Sequence, residues 1–304
     1  EYRFAAFKRA TSLYFFALNK IKGAISMFKG IDVSAHQGRI DWEKVKNSGI
    51  QFAILRLGIG SDIASQDDAF FEANVQGCES IGLPWGAYLY SYALNLEDTR
   101  SEVQHALRLL NGERPEYPVF FDMEDADGYK AKHGMPSNQG LVDICKTFLL
   151  GIEDAGYYAS LYASLSWLNN QLNSHELDRF DKWVAQWNTS CAYKKPYGIW
   201  QYTDSGKVDG ISGNVDMNIA YTNYPEVIKN SGLNGFTAVA STGSSSTTPE
   251  SGQGTRTYTI KKGDTLWDIS KKYLGTGTRY PEIMSLNALK STTIYPGQIL
   301  RIPN

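Results

Sequence analysis

An α/β fold, a modified (β/α)-barrel with five βα units and three final strands, plus a small α+β domain of βααβ pattern, is what this sequence predicts. Three observations carry that expectation. Short apolar runs alternate with helical patterns from Met27 to Tyr162, the rhythm of a parallel sheet with right-handed crossovers. The rhythm then changes, and three strand-like runs follow one another with Gly, Pro, Asn and Asp between them instead of amphipathic helices. Finally, Thr237–Thr255 is rich in Ser, Thr and Gly and lacks bulky periodicity, which marks a flexible linker before a second small domain. The expected division is a basic extension over 1–26, non-native or separately processed, a barrel over 27–235, a linker over 236–254 and the small domain over 255–304.

Taken in order, the expected strands are Phe28–Ser34, Gln51–Gly60, Trp85–Tyr92, Pro118–Asp122 and Tyr158–Tyr162. The helices between them are Asp41–Asn47, Asp68–Ile81, Glu97–Leu110 and Gln139–Ala155. The closing strands are Lys182–Trp187, Gly198–Tyr202 and Val215–Ile219. In the small domain, Thr265 is placed to cap a helix with Asp268 three residues on, and Pro296-Gly297 suits a turn before the last strand.

Composition narrows the function classes. With 304 residues, 42% of them hydrophobic, the chain can bury more than one core. Its net charge of −2 hides a segregation: residues 1–26 hold five basic and one acidic side chain, residues 255–304 eight and three, and the remainder 17 and 28. An acidic body with basic ends is no nucleic-acid binder, whose positive charge clusters on a docking face. Cys78, Cys145 and Cys191 are odd in number and scattered, so neither a disulfide framework nor a zinc site is indicated, and a reducing folding compartment fits. No run of about 18 apolar residues exists to span a bilayer. Membrane contact is confined to residues 1–26, which read as a basic amphipathic helix, a targeting signal without an Ala-x-Ala-like site, or an upstream-translation artefact.

The run Tyr117–Asp125 carries the strongest chemical signal. An apolar strand ends in Asp122, Glu124 and Asp125, and side-chain alternation puts Asp122 and Glu124 on one side with Cα atoms roughly 6.6 Å apart. Two carboxyls so close in a cleft cannot both ionise freely, so one keeps its proton near neutral pH, the equipment for breaking a glycosidic bond. In a barrel the strand ends converge on one face. That face would collect Asp32 from the first strand, Asp122 and Glu124 from the fourth and Asp216 from the last, among Tyr88, Tyr90, Tyr92, Tyr162, Gln186, Trp187, Trp200, Gln201 and Tyr202. His36 is expected to be a structural histidine near the same mouth. The constellation needs no metal and no cofactor.

Phe28–Gly38, Asp41-Trp42, Phe121-Asp-Met-Glu124, Trp200-Gln-Tyr202 and Val215-Asp216 together resemble glycoside hydrolase family 25, the lysozyme family of many phage endolysins. The resemblance covers about 27–222. It implies an N-acetylmuramidase, a bacteriolytic hydrolase cutting the β-1,4 bond from N-acetylmuramic acid to N-acetylglucosamine in bacterial peptidoglycan. By the same resemblance Glu124 is the general acid, Asp122 stabilises positive charge or orients the substrate's 2-acetamido group, and Asp32 and Asp216 complete an acidic floor. Tyr90, Tyr162, Trp187 and Gln201 are the expected substrate contacts.

Thr257–Ser270, Asn287 and Ile294–Ile302 resemble a LysM domain. That implies a shallow groove for N-acetylglucosamine-containing glycan, lined by Gly263, Asp264, Thr265 and Leu266 and by Ile294, Tyr295 and Pro296. The whole then reads as a wall-lytic enzyme made in a host cytoplasm without a signal peptide and released at lysis. The rivals are a non-catalytic peptidoglycan- or chitin-binding protein on an inactive barrel, which has no use for an Asp-x-Glu pair, and a chitinase, whose longer acidic signature is absent.

Overall fold

A computed structural model describes residues 27–237, 255–260, 264, 266–274, 279–287 and 299–303. Eight strands close a barrel in sequence order. They are β1 (Phe28–Val33), β2 (Phe52–Ile59), β3 (Trp85–Tyr90), β4 (Val119–Asp122), β5 (Ala159–Ser164), β6 (Asp181–Ala185), β7 (Ile199–Gly206) and β8 (Val215–Ala220). Around them run α1 (Trp42–Asn47), α2 (Phe71–Ser80), α3 (Leu96–Leu109), α4 (Tyr129–His133), α5 (Asn138–Asp154), α6 (Leu165–Asn169) and α7 (Tyr224–Ser231). Asp41, Asn95, Ser137, Ser164 and Asn223 cap the helices that follow them, each side-chain oxygen accepting an otherwise orphaned backbone N–H.

The sheet is parallel from β1 to β7, whereas β8 runs antiparallel to both β7 and β1. The parallel rhythm expected of the βα units thus extends through β7, and only the last strand, whose direction the pattern left open, turns back. Only residues 207–214 separate β7 from β8, too few for a parallel crossover but enough to turn back. Three helices also went unread. The β4–β5 connection carries α4 before α5, the unit after β5 has only the five-residue α6, and α7 packs Tyr224, Val227 and Ile228 against the barrel end.

Alternation sorts the β4 side chains into two cores. Val119, Phe121 and Met123 join the layer under the helices, which includes Leu141, Phe148 and Leu149 of α5. Phe120 joins the barrel interior with Phe52, Tyr162 and Trp183. The interior is closely filled: a Cβ on Gly30 would lie 2.3 Å from the Phe52 ring, so the absent side chain on β1 makes room for Phe52 on β2. Asp122 follows Phe120 in the inward phase and is 5% exposed.

The C-terminal unit is built from β9 (Thr255–Thr259), α8 (Leu266–Leu274), α9 (Tyr280–Leu286) and β10 (Ile299–Pro303), with β9 and β10 antiparallel. Ile260, Leu266, Ile269, Ile283, Leu300 and Ile302 form its core. Asn287 ties α9 to β10, donating to the Ile283 carbonyl at 2.8 Å and accepting from the Arg301 N–H at 2.6 Å. Among the described residues, no helix is long and apolar enough to cross a membrane.

Candidate active site

The acids come together because three strand registers align them. Asp32 of β1 faces Asp216 across the antiparallel β1–β8 pair. On the other wall, Tyr90, Asp122 and Tyr162 lie side by side on β3, β4 and β5. Since β8 is reversed, Asp216 near its start reaches the face on which β1 to β7 end. Glu124 lies two residues beyond β4, in phase with Asp122, partly exposed where Asp122 is buried.

Hydrogen bonds hold one half of the site firmly. The Asp32 carboxyl accepts from Asn218 Nδ2 at 2.7 Å and from Gln201 Nε2 at 3.1 Å, and Asp216 accepts from the same Gln201 nitrogen at 3.3 Å. The Gln201 oxygen accepts from Tyr162 O–H at 3.2 Å and Trp187 Nε1–H at 3.2 Å. Both donors and both lone pairs of that amide are thus occupied within the protein. Gln201, expected as a substrate contact, has its amide engaged with the acids and their aromatic neighbours. Asn218 is fixed in turn by Trp183 Nε1–H at 2.7 Å.

The other half is less satisfied. Among the described residues, the buried Asp122 Oδ1 has no hydrogen-bond partner. A buried carboxyl oxygen without a donor is costly unless something else satisfies it, so its place at the end of β4 calls for an explanation.

Electrostatics keep protons in this site. Burial, then the nearby Asp216, push the Asp32 carboxyl well above the carboxylate range, against the pull of the Asn218 and Gln201 hydrogen bonds. Burial and the Glu124 charge do the same to Asp122, opposed by Lys130 and Arg56. Glu124 is pushed up to about 7, chiefly by burial, with Asp216 and Asp127 adding to the effect and Lys130 opposing it. Burial also raises Asp216. A carboxyl that is half protonated near neutrality, at the edge of an acid cluster, is what general acid catalysis requires.

Around the acids, Trp187 is 60% exposed on the loop after β6, while Tyr162 is buried within the barrel. Tyr90 and Tyr92 meet edge to face at 5.4 Å, and Tyr92 stacks on Tyr129 at 4.3 Å. Asp127 accepts from the Tyr92 O–H at 2.6 Å and the Tyr129 N–H at 3.0 Å. His36 is exposed in the short turn Ala35–Gln37 that follows β1. Sequence reasoning missed Asn218, Arg56, Glu102 and Lys130; Asn218 alone was recoverable, as the inward position two residues after Asp216.

Of the glycan-groove candidates in the C-terminal unit, Gly263, Thr265, Ile294, Tyr295 and Pro296 lie outside the described residues. Asp264 accepts from the Tyr258 O–H at 2.7 Å. Leu266 is 1% exposed in the core, so its side chain packs the fold and leaves only backbone for a groove.

A closed α/β barrel whose strand ends converge on a cluster of carboxyls whose ionisation burial opposes, lined by aromatics and amides, has the site of a glycoside hydrolase. Residues 31–211 match the model of glycosyl hydrolases family 25, and residues 258–303 match that of the LysM domain. The chain belongs to glycosyl hydrolases family 25. It is 28% identical over 194 residues to the autolytic lysozyme of Clostridium acetobutylicum, covering 62% of this chain and 54% of that one. It is 29% identical over 206 residues to lysozyme M1 of Streptomyces globisporus, covering 62% and 66%. In three dimensions it is similar to the modular autolysin LytC of Streptococcus pneumoniae, solved with a synthetic peptidoglycan ligand, at a TM-score of 0.59 and 29% identity over 65% of this chain and 47% of that one. The matched part spans about half to two thirds of the length of these curated relatives.

Proposed function

We propose that the protein is a peptidoglycan hydrolase, an N-acetylmuramidase cutting the β-1,4 bond from N-acetylmuramic acid to N-acetylglucosamine, and that its C-terminal unit holds it on the bacterial wall through N-acetylglucosamine-containing glycan. The observation that carries this reading is Glu124: a partly exposed carboxyl pushed up to about 7, two residues beyond the end of β4 and in phase with the buried Asp122.

In the reaction, the Glu124 proton passes to the glycosidic oxygen as the bond from that oxygen to the sugar C1 breaks. Positive charge grows on the sugar ring, and the acids Asp32, Asp122 and Asp216 lower its energy. Asp122 either stabilises that charge directly or accepts from the 2-acetamido N–H, turning the acetamido oxygen toward C1 as an internal nucleophile. Glu124, now ionised, takes a proton from the water that completes hydrolysis. Gln201 keeps Asp32 and Asp216 in place, and Trp187 and Tyr90 offer surfaces to sugar rings.

Glu124→Gln tests this assignment. The variant keeps the size and hydrogen-bonding shape of the side chain but has no proton to give. Clearing of a suspension of purified bacterial walls should fall at least about a hundredfold, with an unchanged circular dichroism spectrum; near-normal clearing by the variant contradicts the role of Glu124.

A further inference from the structure

Lys130 has no solvent exposure, and it is the buried residue of the short helix α4. Packing alone would place an aliphatic side chain there, because an ammonium is expensive to remove from water unless it is paired and lysine normally extends its charge to solvent. What Lys130 touches explains its identity. Its Nζ donates to the carbonyl of Ser91, just past β3, and to the carbonyl of Glu124 at 2.9 Å. Its own backbone N–H donates to Asp125 Oδ1 at 2.6 Å, so the acidic segment and α4 clasp each other at two points. Gly128, with φ of 71°, makes the left-handed turn that starts α4 in this position.

The counter-charge is Glu102 of α3, also without solvent exposure. One of its oxygens accepts from the Tyr92 N–H at 2.7 Å and the other from the Ser91 O–H at 2.9 Å; burial pushes the carboxyl up to about 7, and these donors and Lys130 oppose that push. Glu102 thus grips the end of β3 while Lys130 grips the ends of both β3 and β4. The other groups facing Lys130 are Asp122 from β4, Asp125 and Asp127 from the loop, Cys145 from α5 and the Tyr90 ring, 5.9 Å away, from β3; burial lowers the ammonium's pKa, and Glu102, Asp122 and Asp125 oppose that. Those facing Glu124 are Asp216 from β8, Asp127 from the loop before α4, and the Asp122, Tyr90 and Tyr162 side chains of β4, β3 and β5. Lys130, and not Glu102, is among the charges acting on Glu124.

We propose that Lys130 is a positioning residue of this site: its buried ammonium fixes the backbone of Glu124 through the carbonyl oxygen and, as a cation behind the acids, sets the pH at which Glu124 yields its proton. The role of Glu124 as proton donor is taken from the reading above. The sign follows from Coulomb's law. A cation favours the ionised carboxylate, so its removal makes Glu124 hold its proton to higher pH.

The experiment uses the full chain as wild type, Lys130→Met, Lys130→Arg and the double variant Lys130→Met with Glu102→Gln, which removes both charges together and leaves none unpaired should the single variant not fold. Two readouts are taken. One is the titration of the Glu124 carboxyl by carbon NMR on glutamate-labelled protein, its resonance assigned by its loss in Glu124→Gln. The other is the pH profile of kcat and KM on purified peptidoglycan. In the methionine variants the carboxyl midpoint should rise by about one unit, the alkaline limb of kcat should rise with it, and Lys130→Arg should return both toward wild type. An unmoved midpoint in a folded methionine variant, accompanied only by a lower Tm, overturns the proposal. A midpoint that rises in a protein whose wild type releases no peptidoglycan fragments leaves the electrostatic role of Lys130 standing and removes the hydrolase reading instead.

Discussion

Burial opposes ionisation at Asp32, Asp122, Glu124 and Asp216 alike, and neighbouring acids add to that at Asp32, Asp122 and Glu124, whereas the hydrogen bond with Asp32 eases it at Asp216. Such a cluster works against folding once the pH is high enough to ionise it. For Glu124 the folded-state value of about 7 lies above the ordinary 4.5, so the folded protein binds the proton more tightly than the unfolded chain does. Below the unfolded value both forms are protonated and nothing is lost; stability falls as pH rises from there through about 7, then levels off. Glu124→Gln, which abolishes the ionisation, should therefore raise Tm by about 2–4 °C at pH 8 and much less at pH 4, as scanning calorimetry would read. A variant destabilised at pH 8 would show that Glu124 is held by favourable contacts instead. The four acids were legible because strand alternation and the convergence of strand ends are properties of the pattern itself. Lys130 was not legible: on a five-residue helix beside Lys132 and His133, nothing distinguishes a buried lysine from its solvated neighbours.

The elements that position these residues were read correctly where hydrophobic periodicity is strong, as in β2, β3, α3 and α5. They were unread where a few tertiary contacts decide, as in α4, α6 and α7. The direction of β8 escaped the pattern because a strand's alternation is the same read either way; the short β7–β8 link is the physical cue. That reversal matters to the site, because it sets Asp216 opposite Asp32. Closure of the barrel at β1 depends on the absent side chain of Gly30. Gly30→Ala should lose about 1–3 kcal/mol in chemical denaturation, since a Cβ 2.3 Å from the Phe52 ring forces that ring out of the filled interior. A change within a few tenths of a kcal/mol would mean that the interior repacks freely.

At the scale of the whole molecule, the proposed wall-binding role of the C-terminal unit would raise the concentration of the barrel at its polymer without touching the chemistry. Deleting 236–304 should therefore reduce co-sedimentation with purified walls by at least about tenfold while leaving turnover of soluble peptidoglycan fragments within about twofold of the full chain. Equal losses in both assays would mean that the C-terminal residues serve the barrel itself. The bond that is cut remains the central claim, and the new chain end reports it directly. Purified peptidoglycan digested by the full chain, reduced with borohydride and analysed by mass spectrometry should yield fragments ending in reduced N-acetylmuramic acid. Fragments ending in reduced N-acetylglucosamine, or the absence of new reducing ends, would contradict the account.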